Sequence, residues 1–263
     1  MAQATLKAIL FDMDDTLIDW SQREWNTYRQ DHLELVYNYV NADVHPLAAP
    51  DDFYETVSQL FNEAWTAGYQ GSRAPHVGSI MAQALQNIGV PADRIDHDAM
   101  LKAYNWGPVK GVVVFPDVLE VLPIISAANI KTAIVTNSAQ PMWMRDIELR
   151  AYGLLDHFID CRLSAADVGY LKPHRAIFEA ALACLNVQPD QAVFVGDNPE
   201  ADIAGAQSMG MRAVLRVIPS RAVTDREILD KANIVPDGTI DTLHDLLTLL
   251  DSWYPGWRSV PQS

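Results

Sequence analysis

Residues 5–17 read TLKAILFDMDDTL, an apolar run that leads directly into three carboxylates within four positions, Asp12, Asp14 and Asp15. The apolar half predicts a short buried strand that ends in an acidic turn. On its own, this stretch fits an ordinary turn with capping residues. It fits a metal site equally well, because like charges this close repel one another and oxygen ligands suit a hard cation such as Mg²⁺.

Helices and strands follow this first strand in two different patterns. Apolar stripes at helical spacing predict helices from about residue 21 to 105, interrupted by a loop at residues 68–75, which contain two glycines and a proline. After residue 112, short β-branched apolar runs alternate with helical stretches. Strands are predicted at residues 131–137, 191–197 and 211–217, and helices at 117–128, 141–151, 174–186 and 200–209. This alternation predicts an α/β fold with a parallel sheet covered on both faces.

Polar residues follow the predicted strands at the edge where such sheets bind ligands, beyond their carboxyl ends. They are Asp12, Thr136-Asn137, Lys172-Pro173, Gly196-Asp197 and Asp202. Each group also has an ordinary explanation, since hydroxyl and amide side chains cap helices and a lysine at a helix start usually lies in solvent. Taken together, acidic residues for a metal, a cradle of hydroxyl and backbone N–H groups, and one lysine fit a single phosphate group.

These residues resemble the haloacid dehalogenase-like (HAD) superfamily, over nearly the whole chain. The match consists of Asp-x-Asp-x-Thr at Asp12, Asp14 and Thr16, then Thr136-Asn137, Lys172-Pro173, and Gly196-Asp197 with Asp202. The resemblance implies a doubly wound, Rossmann-like parallel core made of residues 1–19 and 107–263. It also implies that the helical insertion, residues 20–106, is a C1-type cap domain over the active site.

The resemblance further implies a reaction on a small-molecule phosphate ester. Asp12 is expected to attack phosphorus and form an aspartyl-phosphate, while Asp14 first protonates the leaving oxygen and later activates water. Lys172 is expected to balance the negative charge of the nucleophile and the phosphate. Thr136 and the backbone N–H groups around Asn137 are expected to hold the phosphate oxygens.

A Mg²⁺ ion is the cofactor that the resemblance implies. Its expected protein ligands are the Asp12 carboxylate, the Asp14 backbone carbonyl and the Asp197 carboxylate. Asp202 is expected either to bind the metal as well or to support the residues that do.

The aspartate at position 14 distinguishes between members of the superfamily. By resemblance, dehalogenases and phosphonate hydrolases lack an aspartate there, whereas phosphatases and phosphomutases have one. Cleavage of a carbon–halogen bond has no leaving oxygen to protonate, which is consistent with that difference. The leading prediction is therefore a phosphatase. A sugar phosphomutase on the same fold and a catalytically silent binding protein are the alternatives, and the sequence identifies neither the substrate nor the oligomeric state.

Substrate specificity is expected in the cap, because the core grips only the phosphate. The candidates in the cap are Trp20, Arg23, Tyr28, the loop from Tyr69 to Arg73, and Trp106. Arg23 or Arg73 could meet an anionic group or sugar hydroxyls. For each candidate, a packing or surface role is the competing interpretation.

Charge and composition limit the partners and the location. The chain has 263 residues and a formal net charge of −15, which argues against a general affinity for nucleic acid or anionic membranes. This charge would also repel an anionic substrate, so the site must supply local cations. No apolar run approaches the roughly 20 residues of a membrane helix, and no secretion signal is present, so a cytoplasmic location is expected. Cys161 and Cys184 lie in apolar stretches and are expected to be free, buried thiols.

Overall fold

The computed structural model describes residues 5–71 and 73–258, except for the side chains of residues 25–27. These residues form eight strands and eleven α-helices. The strands are β1 (Ala8–Phe11), β2 (Ile18–Asp19), β3 (Val113–Val114), β4 (Lys131–Thr136), β5 (Cys161–Ser164), β6 (Ala192–Gly196), β7 (Arg212–Arg216) and β8 (Gly238–Ile240). The helices are α1 (Trp25–Tyr39), α2 (Pro50–Tyr69), α3 (Val77–Asn87), α4 (His97–Tyr104), α5 (Pro116–Ala127), α6 (Met142–Ala151), α7 (Ala165–Val168), α8 (Arg175–Leu185), α9 (Gly205–Ser208), α10 (Ala222–Ala232) and α11 (Leu243–Trp253).

Six parallel strands form the central sheet, in the order β5-β4-β1-β6-β7-β8. β1 lies in the middle, where Ala8 pairs with Lys131 of β4 on one side and with Ala192 of β6 on the other. All four residues of β1 are buried, as expected for a strand with neighbours on both sides. The carboxyl ends of β1, β4 and β6 are therefore adjacent, and the residues that follow these strands meet at one edge of the sheet.

Alternate side chains of β1 enter two separate hydrophobic cores. Ile9 and Phe11 belong to one core together with residues of α5 and α11, whereas Ala8 and Leu10 belong to the other together with residues of α8. Successive side chains of a strand point to opposite faces of a sheet, so helices cover both faces. The predicted doubly wound, Rossmann-like core is confirmed.

Helices α1 to α4 enclose a third hydrophobic core, which includes Val36, Phe53 and Met81. The chain leaves the sheet region after β2 and returns at β3, and these two strands pair antiparallel, with Ile18 opposite Val114. The two connections between the helical segment and the sheet therefore lie side by side. The boundaries of a separate cap domain at residues 20–106 stay a prediction.

Residues 200–209 do not form the single α-helix that the sequence predicted. Pro199–Ala204 is a π-helical turn, and only Gly205–Ser208 is α-helical. The carbonyl of Asn198 accepts hydrogen bonds from the backbone N–H groups of both Asp202 (3.0 Å) and Ile203 (3.3 Å). This shared acceptor widens the first turn of the helix, and Asp202 lies in that turn, at the edge of the sheet where Asp12 and Asp197 also lie.

Cys161 and Cys184 form a disulfide, with their Cα atoms 6.1 Å apart, so the prediction of free, buried thiols was wrong. Cys161 is the first residue of β5, and Cys184 lies on an exposed part of α8, a helix that packs across that edge strand. The apolar sequence around each cysteine carries no information about this packing, because the contact is between elements.

Within the described ranges, no helix combines the length and the apolar character needed to cross a membrane. Residues 1–4, part of the segment on which the expected location depends, lie outside those ranges. The cytoplasmic location stays a prediction.

Candidate active site

A tight loop after β1 carries the first group of predicted site residues. Asp15 has a left-handed backbone conformation (φ 60°), which short polar residues tolerate better than most others, and its N–H donates to the carbonyl of Ile18 at 2.7 Å. The N–H groups of Leu17 and Ile18 donate to the carbonyl of Met13. The loop therefore folds back on itself, which holds Asp12 at the edge of the sheet.

The side chain of Lys172 joins two carboxylates. Its Nζ lies 2.6 Å from Asp12 Oδ1 and 2.7 Å from Asp202 Oδ1, and the lysine is only 1% exposed. Asn137 fixes the backbone of this lysine, since its amide donates to the Lys172 carbonyl (3.1 Å) and its Oδ1 accepts from the Lys172 N–H (2.7 Å). The Asn137 side chain is therefore occupied, and a phosphate contact from this residue would come from its backbone N–H.

Three carboxylates, one from the loop after β1 and two from the segment after β6, meet at this edge of the sheet. One oxygen each of Asp12, Asp197 and Asp202 lies within 4.8 Å of the others. The Thr16 hydroxyl lies between two of them, 3.3 Å from Asp12 Oδ2 and 3.1 Å from Asp197 Oδ1. Gly196 makes room for the cluster, because a Cβ atom at this position would lie 2.4 Å from the carboxyl group of Asp202.

Burial raises the pKa values of all three carboxyl groups. The pKa of Asp12 is raised to about 7, since burial outweighs the lowering by Lys172. The pKa values of Asp197 and Asp202 are each raised to about 6, again mainly by burial. Burial alone would lower the pKa of Lys172, but Asp12 and Asp202 raise it further than burial lowers it. A buried, oxygen-only cluster with this excess of negative charge fits a hard divalent cation.

Asp14 lies next to the cluster and is paired with an arginine that the sequence did not predict. Arg145 Nη2 lies 2.5 Å from Asp14 Oδ1, and Arg145 Nε lies 2.8 Å from a carboxylate oxygen of Glu148. The other oxygen of Asp14 accepts from the Thr136 hydroxyl at 3.4 Å. Glu148 also accepts a hydrogen bond from the Trp106 side chain. A chain of contacts thus connects Trp106 to Asp14.

Arg145 and Glu148 are both buried, and burial acts on them in opposite ways. Burial lowers the pKa of Arg145, but Asp14 and Glu148 outweigh it and the pKa is raised. Burial raises the pKa of Glu148 to about 7, although Arg145 opposes the shift. The guanidinium of Arg145 is therefore charged and is shared between two carboxyl groups.

Arg221 is a second cation at this edge that the sequence did not predict. It forms an ion pair with Asp197 Oδ2, and its Nη1 lies 3.6 Å from Asp15 Oδ2. A signal for Arg221 did exist, because it lies shortly after the carboxyl end of the predicted strand at residues 211–217. Arg145 had no such signal, since it lies more than two turns beyond the predicted strand end.

A cavity of about 310 Å³ opens beside Asp14, between the edge of the sheet and helices α1 and α2. Its lining consists of Asp14, Trp20, Arg29, Phe61, Asn62, Trp65, Trp106, Asn137, Ser138, Ala139, Gln140 and Arg145. Two of the predicted cap candidates, Trp20 and Trp106, thus lie at the cavity. The tryptophans give it largely aromatic walls on the side of the helical segment.

The other cap candidates do not line this cavity. Arg23 is exposed, and the Tyr28 hydroxyl donates to the backbone carbonyl of Gly107 at 2.7 Å. In the loop from Tyr69 to Arg73, Ser72 lies outside the described residues, and Arg73 lines a separate groove between α2 and α3. The competing interpretation, a packing or surface role, fits Arg23 and Tyr28.

Comparison with known proteins gives matches over most of the chain. The family model of the haloacid dehalogenase-like hydrolases matches residues 6–210. A ribulose-1,5-bisphosphate 5-phosphatase of Halopiger xanaduensis is 34% identical, over 92% of this chain and 98% of that protein. A glyceraldehyde 3-phosphate phosphatase of Methanopyrus kandleri is 27% identical, over 93% of this chain and 97% of that protein. The solved structure of a 2-haloacid dehalogenase from Pseudomonas syringae matches with a TM-score of 0.60 at 25% identity, over 95% of this chain and 100% of that one.

Proposed function

This chain belongs to the haloacid dehalogenase-like hydrolases, and we propose that it is a phosphatase that hydrolyses a small-molecule phosphate monoester. The observation that carries this proposal is the Asp12 carboxylate, which lies 2.6 Å from a buried lysine within a cluster suited to a divalent cation. Two curated relatives named as phosphatases, at 34% and 27% identity over more than nine tenths of the chain, support it.

The first step transfers the phosphoryl group to the protein. A carboxylate oxygen of Asp12 attacks phosphorus while the bond from phosphorus to the leaving oxygen breaks, and Asp14 gives its proton to that oxygen. Lys172 balances negative charge beside the nucleophile. The Thr136 hydroxyl and the backbone N–H of Asn137 hold the phosphate oxygens.

The second step releases phosphate. Asp14, now ionised, takes a proton from water, and the water oxygen attacks the phosphorus of the aspartyl-phosphate. The bond between phosphorus and Asp12 breaks, which gives inorganic phosphate and the free carboxylate. The position of Asp14 beside the cavity is consistent with both of its roles, because a leaving group and later a water molecule would occupy that space.

Mg²⁺ is the cofactor we propose for this site. The carboxylates of Asp12 and Asp197 and the backbone carbonyl of Asp14 would hold it. The two oxygens of Asp202 already contact Lys172 (2.7 Å) and the N–H of Asn198 (3.0 Å), which favours a supporting role. When bound, the ion neutralises charge on the nucleophile and on the phosphate.

Asp14 is also the reason to prefer phosphoryl transfer over dehalogenation, although the matching structure from Pseudomonas syringae and others are dehalogenases by name. A protonated carboxyl group serves an oxygen leaving group, and a departing halide needs no proton. A phosphomutase would use the same first step, so the fate of the phosphate distinguishes the two activities.

The test is inorganic phosphate release from a panel of phosphate monoesters in the presence of Mg²⁺, with the wild type and Asp12→Asn. We expect stoichiometric release by the wild type and a loss of at least about 1,000-fold in the variant, because an amide is a poor nucleophile. Asp93→Asn, an exposed aspartate on the helical segment, is the matched control. Substoichiometric release with formation of an isomer would instead indicate a mutase, and full activity of Asp12→Asn would refute the nucleophile.

A further inference from the structure

The cavity beside Asp14 is the space in which we expect the leaving group of the substrate to lie. This inference rests on the proposed function, in which Asp14 protonates the leaving oxygen. At about 310 Å³ the cavity is at the small end of ligand pockets, so it fits a small leaving group rather than a nucleotide or a peptide. The residues around it should therefore determine which small ester is accepted.

Two arginines line this cavity, and their charges are not equally compensated. Arg145 is shared between Asp14 and Glu148, at 2.5 and 2.8 Å. Among the side chains that the structure describes, no carboxylate lies within ion-pairing distance of Arg29. Of the two arginines, Arg29 is therefore the one whose positive charge can pair with an anionic group of a ligand.

A hydrogen bond holds the side chain of Arg29 in place from the neighbouring helix. Arg29, on α1, donates from Nη2 to the Ser58 hydroxyl of α2 at 2.7 Å, and that hydroxyl donates to the Tyr54 carbonyl at 2.8 Å. A guanidinium has five N–H donors, and Ser58 takes one of them. The remaining donors form the planar edge that binds carboxylates and phosphates in bidentate fashion.

Arg29 is significant because the protein around it is strongly negative. The formal net charge is −15, and the cluster at the nucleophile is acidic. A substrate with a second negative charge would be repelled unless a cation met that charge inside the cavity. Trp20, Trp65 and Trp106 place apolar surface around the same cavity, and an ion pair is stronger beside apolar surface than in open water.

We propose that Arg29 binds a second anionic group, a carboxylate or a phosphate, on the leaving group of the substrate. The protein then selects small phosphate esters that are anionic at both ends. The phosphoryl group to be transferred lies at Asp12, and the other anionic group lies at Arg29 on the far side of the leaving oxygen.

The experiment compares kcat/KM for matched pairs of esters in the wild type and in Arg29→Gln. One pair is 3-phosphoglycerate and glycerol 3-phosphate, which differ by a carboxylate on the leaving group. The other is a sugar bisphosphate and the corresponding monophosphate, which tests a second phosphate. Arg94→Gln is the control, because it makes the same change in net charge at an exposed position of the helical segment away from the cavity.

We expect the wild type to prefer the doubly anionic ester of at least one pair, and Arg29→Gln to reduce that preference about tenfold or more, as the loss of a charge-assisted hydrogen bond predicts. The pair that responds identifies the second anion. A general loss of folding would lower kcat/KM for both esters of a pair by the same factor, so the ratio of the two values would not change. Circular dichroism checks that the variant is folded.

An unchanged ratio in a folded Arg29→Gln, or an equal reduction in Arg94→Gln, would overturn the proposal. Hydrolysis of p-nitrophenyl phosphate by the wild type separates this result from a failure of the proposed function. If the wild type hydrolyses that ester and the ratios do not respond, Arg29 is not the selecting residue. If the wild type releases no phosphate from any ester, the phosphatase assignment fails and the role of Arg29 fails with it.

Discussion

Lys172 is a buried ammonium group with two carboxylate neighbours, Asp12 and Asp202. Removing one partner of a buried ionic group leaves the others uncompensated, which typically costs about 3–5 kcal/mol of stability. In the proposed reaction, a positive charge at this position also assists the approach of a phosphate dianion to the Asp12 carboxylate. Lys172 therefore contributes to the fold and, in our proposal, to the reaction.

Lys172→Met should accordingly lower the free energy of unfolding by about 3–5 kcal/mol and reduce kcat/KM for phosphate esters by at least about 100-fold. Urea denaturation measures the first effect, and phosphate release measures the second. Lys102→Met, at an exposed position of α4, should change neither by a comparable amount. Wild-type stability and turnover in Lys172→Met would show that the ammonium group has neither role.

At the scale of single residues, the sequence predicted the acidic side chains that follow strands and missed the arginines at the site. Asp12 and Asp197 meet at one edge because each follows a parallel strand, and such strands have their carboxyl ends at the same edge. Lys172 reaches that edge from the segment between α7 and α8. Arg29 and Arg145 reach the cavity from helices. Their positions depend on how α1 and α6 lie over the sheet, and helical periodicity does not specify that packing.

Helix α6 places Arg145 and Glu148 three residues apart, within one helical turn, where the two side chains meet. Glu148 also faces Asp14, Tyr28, Trp106 and Tyr152. Burial raises the pKa of Glu148 from its ordinary value of 4.5 to about 7. In the folded protein this glutamate therefore keeps a proton over a pH range in which the unfolded chain has lost it.

This shift predicts a pH-dependent difference between the wild type and Glu148→Gln. The folded state binds more protons than the unfolded state, so the Glu148 contribution to stability is lost as the pH rises from about 4.5 to about 7. Glutamine does not titrate. The free energy of unfolding of Glu148→Gln relative to the wild type should therefore rise by about 2–3 kcal/mol between pH 5 and pH 8.

Urea denaturation at several pH values measures this difference, with Glu227→Gln, an exposed glutamate on α10, as the control. A relative stability of Glu148→Gln that stays constant across the range would show that folding does not raise the pKa of Glu148.

Among the elements, the long apolar strands were predictable and the short ones were not. β4 and β6 are five or six residues long and almost wholly buried, so their apolar runs stand out from the surrounding sequence. β8 has three residues and β2 has two, too few for a period to be recognised. The π-helical turn at Pro199–Ala204 arises from a shared carbonyl acceptor, and residue spacing gives no sign of it.

Across the whole molecule, the proposed metal site joins segments that are far apart in the sequence, because Asp12 follows β1 and Asp197 follows β6. An ion that binds only the folded arrangement stabilises it by mass action, about 2.7 kcal/mol at 100 times the dissociation constant. Mg²⁺ should therefore raise the melting temperature of the wild type.

The same rise should be absent in Asp197→Asn and present in Asp241→Asn, an exposed aspartate. Thermal unfolding with Mg²⁺ is compared with NaCl at equal ionic strength, since a net charge of −15 responds to any screening salt. Equal effects of the two salts on the wild type would contradict a specific site.

The aromatic walls of the cavity also have a practical consequence. Three of the seven tryptophans of the chain, Trp20, Trp65 and Trp106, surround the space in which we expect the leaving group to lie. Indole emission responds to local polarity and to nearby charge, so a molecule in this space would alter a large share of the intrinsic fluorescence. Ligand occupancy can therefore be followed optically in the unlabelled protein, even with an inactive variant and a compound that is never turned over.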